Sequence, residues 1–540
     1  MDGQSLLKPP EWDRGMTSLA PVGAATIIGQ APPATGVARA APLSAVTTPS
    51  STSVTLGQGS ATPLTYTPQT ASAVGASGLT WERDAVDPVS TVIAATVSSR
   101  SLAGRLEGVA SALLDRFKTD GGNFSQSVKL PPAAGQVDEL TGATLAAPSG
   151  LDDDSYTLRI TTASGVKVAV TLGSSADGLA VQVEVTEGDL SEDERKAIAG
   201  LSKSFQDAVD GLASVPPRMA WSGLAKFDTS VLSSVSLQAT SSANGVISQS
   251  VEFSADSKQR SLTIKNADGV VKVDIDVSKS AVYGNAQQRA AAVSDYLQQF
   301  EAARSRGRGD EALMGLFKDA FTELHQTYEA GAAPSSQAPR RVAAGYTYRS
   351  LLSGVADFSA SVSQTMVASN PYKTREFDQF SYQVSQSSSI SGRPLFDLSV
   401  KQEQRANLTA SFHTGLTPQH QLDLTKETKS QNYRYYQIND EVSSQTSIRY
   451  EEGALAAATL THTRNLNTRM QAYVKAELVE DINTPVSDTK TRDLMSLVRA
   501  ADLEPREDDR LLRRDPAQLD AMLLDKHVAL ARSVARERQD

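Results

Sequence analysis

The sequence predicts an α+β fold. Antiparallel β-meanders covered by helices are followed by a mainly antiparallel β domain with C-terminal helices, all behind a disordered N-terminal head. Three observations predict it. Several short runs alternate apolar and polar residues between turn residues. Other stretches place apolar residues at three- and four-residue spacing. The first eighty residues carry neither pattern.

Between Gly15 and Trp81 the only charged residue is Arg39, and Ala, Thr, Ser, Pro and Gly make up most of the rest. Such a stretch buries too little apolar surface to offset its ordering entropy, so residues 1–80 are read as a disordered low-complexity head. It would serve as a secretion address, a tether or a passive extension.

An α+β domain is expected over 81–330. Leu102, Leu106, Val109, Leu113 and Phe117 predict one amphipathic helix, and Phe124 to Leu130 a strand. Tyr156 to Ile160, Val166 to Val170 and Leu179 to Val185 alternate around Gly165 and Asp177-Gly178, which predicts a three-stranded meander. Ser191 and Glu194 form a capping box ahead of a helix seamed by Ile198, Leu201, Phe205, Val209 and Leu212.

A second unit follows with strands Val246 to Ser254, Arg260 to Lys265 and Val270 to Val277, then a helix carrying Val293, Leu297 and Phe300. Leu158-x-Ile160-x-x-Ala163-x-Gly165-Val166 aligns without a gap on Leu262-x-Ile264-x-x-Ala267-x-Gly269-Val270, the pattern of a duplication or of two hairpins with the same turn. A second helix places Leu313, Leu316, Phe317, Ala320, Phe321 and Leu324 on one face.

Residues 331–345 read as a linker, and 346–485 as an antiparallel β-rich domain. Residues 346–368 fit helix and strand equally. From Phe377 to Leu478 alternation recurs at Phe380-x-Tyr382-x-Val384, Phe396-x-Leu398-x-Val400, Leu408-x-Ala410-x-Phe412, Leu422-x-Leu424 and Ile448-x-Tyr450. That predicts six or more long strands with one apolar face and one hydroxyl/amide face. Residues 486–540 read as a charged helical segment. Asp515 is its N-cap, and Leu519, Leu523, His527, Leu530 and Val534 form its seam. Leu519, Leu523, Leu530 and Val534 are the candidate partner-binding residues.

Composition then limits the chemistry. There is no cysteine, which excludes disulfides, thiolate nucleophiles and thiolate metal sites. The five histidines stand singly. A net charge of −10 without a basic stripe argues against nucleic acid. No segment has the apolar length of a transmembrane helix, and the N-terminus lacks a Sec-type signal pattern. A cysteine-free chain rich in Ser, Thr, Ala and Gln has a composition common among exported bacterial filament and surface proteins. An Ala- and Arg-biased cytosolic protein has it too.

Each candidate site has a plainer structural explanation. Arg308-Gly309-Asp310 spells an adhesion tripeptide, yet Gly309 could end one helix in the left-handed conformation and Asp310 could cap the next. The acids from Glu187 to Glu194 suit a helix N-terminus better than a calcium loop, and Asp152 to Asp154 suit a solvated turn. Asp274 and Asp276 share a strand face, as paired catalytic carboxylates would, but alternation puts that face in solvent. His413 and His420 flank a turn and read as a surface pair. His325 and His527 lie on helical seams. No catalytic residue, cofactor or metal is assigned. The leading expectation is a non-enzymatic structural or protein-interaction protein of a bacterium, exported and surface-associated. The alternatives are a cytosolic regulatory scaffold and a carboxylate-dependent hydrolase.

Overall fold

The computed structural model describes residues 79–496 except 84–86, 131–152, 176, 215–216, 244–245, 329–347, 394–395, 418 and 420. The expected head up to residue 78, the linker and the helix from Asp515 with Leu519, Leu523, Leu530 and Val534 lie outside the described residues, while Leu79 is buried and Thr80 begins a strand.

Among the described residues fifteen strands form one antiparallel sheet. They are β1 (Thr80–Trp81), β2 (Phe124–Lys129), β3 (Asp154–Thr162), β4 (Lys167–Ser175), β5 (Gly178–Thr186), β6 (Leu232–Ala243), β7 (Val246–Asp256), β8 (Gln259–Asn266) and β9 (Gly269–Asp276). The series continues with β10 (Asp357–Gln364), β11 (Gln379–Ser391), β12 (Ser399–Gly415), β13 (Tyr433–Glu451), β14 (Ala454–Val474) and β15 (Glu477–Asp493). Their order is β1-β2-β5-β4-β3-β6, and from β6 onward each strand pairs with the next. The meander expected at 156–185 is β3–β5. The second unit holds one strand more than the alternation shows, because β6 (LSSVSLQATSSA) dissolves into serine and threonine after Leu237. Beyond residue 377 the described residues form five long strands, β11 to β15, where six or more were expected. Leu422 and Leu424 are in none of them; they pack on Tyr433, Tyr435 and Tyr473 instead.

The helices are α1 (Pro88–Thr96), α2 (Leu102–Leu106), α3 (Val109–Asp115), α4 (Glu192–Gly200), α5 (Ser202–Ala213), α6 (Ala286–Gly307) and α7 (Glu311–His325). The single helix expected over 102–117 is two, because Gly108 takes φ 75° and breaks it. Its seam survives the break: Leu106, Val109, Leu113 and Phe117 are all buried. Ser191 and Glu194 form the capping box. Glu194 also accepts from Ser164 Oγ at 2.6 Å. That bond, chiefly, holds its carboxyl down at about 2.

The core follows from register. Phe124, Val183, Val170, Leu158, Leu237, Phe253, Leu262, Val273, Ala360, Val384, Ala406 and Val442 stand in one line across twelve strands. Period two puts every one on the same face, and the helices cover it. Phe300 of α6 meets Tyr382 at 5.8 Å between ring centroids, and Phe321 of α7 meets Phe358 at 5.0 Å. The same line ends on Arg464 and Asp488 in β14 and β15, where the face turns polar. The edge strand β15 is exposed along most of its length, with Pro485 at mid-strand and charges at Glu477, Glu480, Asp481, Asp488, Lys490, Arg492 and Asp493. Proline and charge discourage a further strand from pairing with such an edge.

Two helical glycines differ in what a side chain would meet. A Cβ on Gly315 meets nothing within 4 Å, whereas one on Gly307 would lie 2.7 Å from the Phe380 ring. Gly315→Ala is therefore expected to raise the unfolding free energy by about 1 kcal/mol. Gly307→Ala should lower it by about 1–2 kcal/mol. Urea midpoints shifting in opposite directions would check the pair.

Candidate interaction surface

The face opposite the helices is polar from one side of the sheet to the other. Ser125, Gln182, Thr171, Thr157, Gln238, Glu252, Thr263, Lys272, Ser361, Gln383, Asn407, Glu441, Asn465 and Ser487 are directly paired across fourteen consecutive strands. None of them is buried. No apolar residue interrupts the line; beyond residue 377 it is the hydroxyl/amide face that alternation predicts, and it continues through the strands before it. Neighbouring rows match it in β14 and β15, where Thr461 bonds Thr491 and Thr463 bonds Thr489.

One corner of this open face is covered. The connection between β10 and β11 (365–378) and that between β12 and β13 (416–432) lie over Tyr433, Tyr435 and Tyr473. Tyr435 Oη and Ser411 Oγ both donate to the carbonyl of Phe377. Asn370 Nδ2 donates to Gln431 Oε1, joining the two connections. Tyr433 and Tyr473 stack at 4.9 Å, and the Lys373 ammonium sits 3.1 Å from the Tyr473 ring centroid.

His413 stands at the centre of that corner with its side chain 0% exposed. Its Nδ1 lies 2.6 Å from Asp378 and its Nε2 3.1 Å from Glu376. Tyr433 Oη also donates to Glu376, and Ser369 Oγ to Asp378. The surface pair expected of His413 and His420 is thus corrected at His413, which is packed under the connections and held by carboxylates. His420 lies outside the described residues. Alternation places His413 on the polar face correctly; only the fold brings Glu376 and Asp378 onto it.

A second polar cluster lies inside the helix-covered face. Gln386 accepts from Tyr296 Oη at 3.0 Å and Gln404 Nε2 at 3.2 Å, and donates to the carbonyls of Val355 and Ala356. Gln402 accepts from Ser353 N and donates to Ser388 Oγ. Asp357 accepts from Ser388 N and Lys279 Nζ. Sequence reasoning passes over this seam because glutamine and serine on an alternating strand look solvated.

The other candidates are used internally. Arg308, not Gly309, takes the left-handed conformation, with φ 53° at the end of α6. Gly309 is needed instead for close approach, since a Cβ there would stand 3.0 Å from the Phe380 ring. Arg308 lies over the Phe412 ring at 4.9 Å, and Asp310 caps α7 through Leu313 N. Asp276 closes a turn by accepting from Ser278 N and Oγ. Asp274 is pushed up by burial between strands, so the two acids are set in opposite directions by unlike causes. Asp154 accepts from Ser241, and Asp152 lies outside the described residues. His325 is buried, and desolvation holds it down at about 3. His527 lies outside the described residues. Among the described residues no group of three or more His, Asp or Glu is placed to hold a metal ion, and no helix is long and apolar enough to cross a membrane.

Fold and surface define a class: among the described residues, an antiparallel sheet protein sheathed by helices on one side and left open and polar on the other. No known family, no characterised protein and no solved structure matches the chain.

Proposed function

We propose that this chain is a structural or protein-interaction protein of a bacterium, exported and surface-associated, which binds other proteins across the open face of its sheet. The observation that carries the reading is the unbroken polar line over fourteen strands. At ~4.8 Å per strand it runs about 60 Å along the sheet. A standard interface buries ~800 Å² per partner, an area this face accommodates. Hydroxyl and amide side chains both donate and accept, so they complement another protein's polar surface without a metal or cofactor. The cysteine-free, Ser/Thr/Gln-rich composition supports the exported location.

A photo-crosslinking residue placed at Gln383 or Asn407 in the native cell is expected to yield protein-sized adducts. The same residue at Lys203, 83% exposed on α5, should yield none. Adducts at Lys203 alone, or at no position, would sink the reading. Recovery of the protein solely from cytosol would sink the exported location while leaving the open-face test standing.

A further inference from the structure

We propose that the connection 365–378 is a pH-gated latch: protonated His413 locks it over the three tyrosines of the open-face corner, and deprotonation releases it. The geometry carries this. Both ring nitrogens of His413 face carboxylates, Asp378 at 2.6 Å and Glu376 at 3.1 Å. A carboxylate only accepts. A neutral imidazole has one N–H to give, so satisfying both acids requires the imidazolium. The acids sit at the end of the connection, two residues apart, and clamp the ring from opposite sides.

The charged and titratable groups facing His413 are few. The connection contributes Lys373, Glu376 and Asp378, with Lys373 Nζ 3.5 Å from Glu376. β13 contributes Tyr433 and Tyr435, whose rings lie 5.0 Å and 4.7 Å from the imidazole, and β14 contributes Tyr473 beyond them. With His413 protonated, two cations balance two anions in the buried corner. Removing one proton leaves it net negative and takes the imidazole donor from one of the two carboxylates. Asp378 has the shorter bond to the ring and also accepts from the His413 backbone N–H, so Glu376 is the acid that loses the imidazole, keeping Tyr433 Oη and the Lys373 ammonium. The strap then loosens over Tyr433, Tyr435 and Tyr473, and an aromatic patch opens on a face that is otherwise polar.

The pH window follows. Burial pushes His413 down, but the bonds and charges of Asp378 and Glu376 outweigh it, and the ring ends above its ordinary 6.5. Burial pushes Glu376 and Asp378 up, but the bonds and charge of His413, with Tyr433 and Lys373 on Glu376 and Ser369 on Asp378, outweigh it, and both end below their ordinary 4.5 and 3.8. The latch is fully formed at pH values between those carboxylate values and 6.5. It is lost as pH rises through the raised value of His413, and on the acid side as pH falls through the lowered carboxylate values.

The test is backbone hydrogen exchange of residues 365–378 in the full-length protein at about pH 6 and about pH 9, corrected for intrinsic rates. Protection should fall about tenfold at the higher pH, the loss of one charge-assisted hydrogen bond. His413→Gln should exchange fast at both. Equal protection at both pH values in the wild type, or a pH response retained in His413→Gln, would overturn the latch. Should His413→Gln fail to fold, Glu376→Gln with NMR titration of the histidines decides. The variant should bring His413 down by about one pH unit, as loss of a neighbouring charge does. A wild-type His413 that titrates at or below 6.5 would overturn the proposal.

Discussion

Phe321→Ala is expected to lower the unfolding free energy by about 4 kcal/mol. Phe321 is 0% exposed and lies at the centre of an aromatic cluster. Its ring meets His325 at 4.3 Å, Phe358 at 5.0 Å, Phe300 at 5.1 Å and Tyr296 at 5.6 Å between centroids. Four neighbours drawn from α6, α7 and β10 cannot all collapse into one vacated space, so most of the cavity remains. Urea unfolding should show a lower midpoint with an unchanged slope. A loss below about 1 kcal/mol would mean the cluster is loosely packed.

The same substitution has a pH signature. Wild-type His325 is held down at about 3 by burial, whereas the unfolded chain titrates near 6.5. Between those values the unfolded state binds a proton that the native state cannot, so wild-type stability falls as pH falls from 6.5 toward 3. Opening a cavity beside His325 lets native protein take up that proton. The decline attributable to His325 should therefore be shallower in Phe321→Ala.

Gln386→Ala is expected to cost about 3 kcal/mol, and Gln383→Ala, three residues away on the same strand, less than about 0.5 kcal/mol. Gln386 is 3% exposed and satisfies four groups, among them Tyr296 Oη and the carbonyls of Val355 and Ala356. Truncation leaves them without their partner in a desolvated place, where an unmade bond costs more than a made one contributes. Gln383 points the other way on an exposed face. Equal costs at both positions would show that Gln386 is not the tie between β11 and the segment ahead of β10. Guanidine or urea midpoints suffice to compare them.

These two glutamines mark where sequence reading succeeds and where it stops. Period two separates the faces of β11 correctly through Phe380, Tyr382 and Val384. It then fails at Gln386 and Ser388, because a buried amide is indistinguishable from a solvated one until its partners are in place. β6 escaped for a related reason: its serines and threonines hide the alternation after Leu237. The capping box at Ser191 and Glu194 was legible because both partners lie within one turn. The break at Gly108 was not, since a glycine inside an apolar seam permits a bend without requiring one.

The sequence by itself determined the fold class, most of the strands and helices, the apolar seams and the absence of thiol chemistry, all of which depend on composition or on residues a few positions apart. Only the tertiary structure decided that β6 joins β3 and β9 joins β10 in a single sheet. It also decided that Arg308 rather than Gly309 turns the chain, and that Glu376 and Asp378 close on His413. Those outcomes depend on groups up to about a hundred residues apart in sequence. Their meeting is set by register and by the space left between packed side chains, neither of which a local pattern encodes.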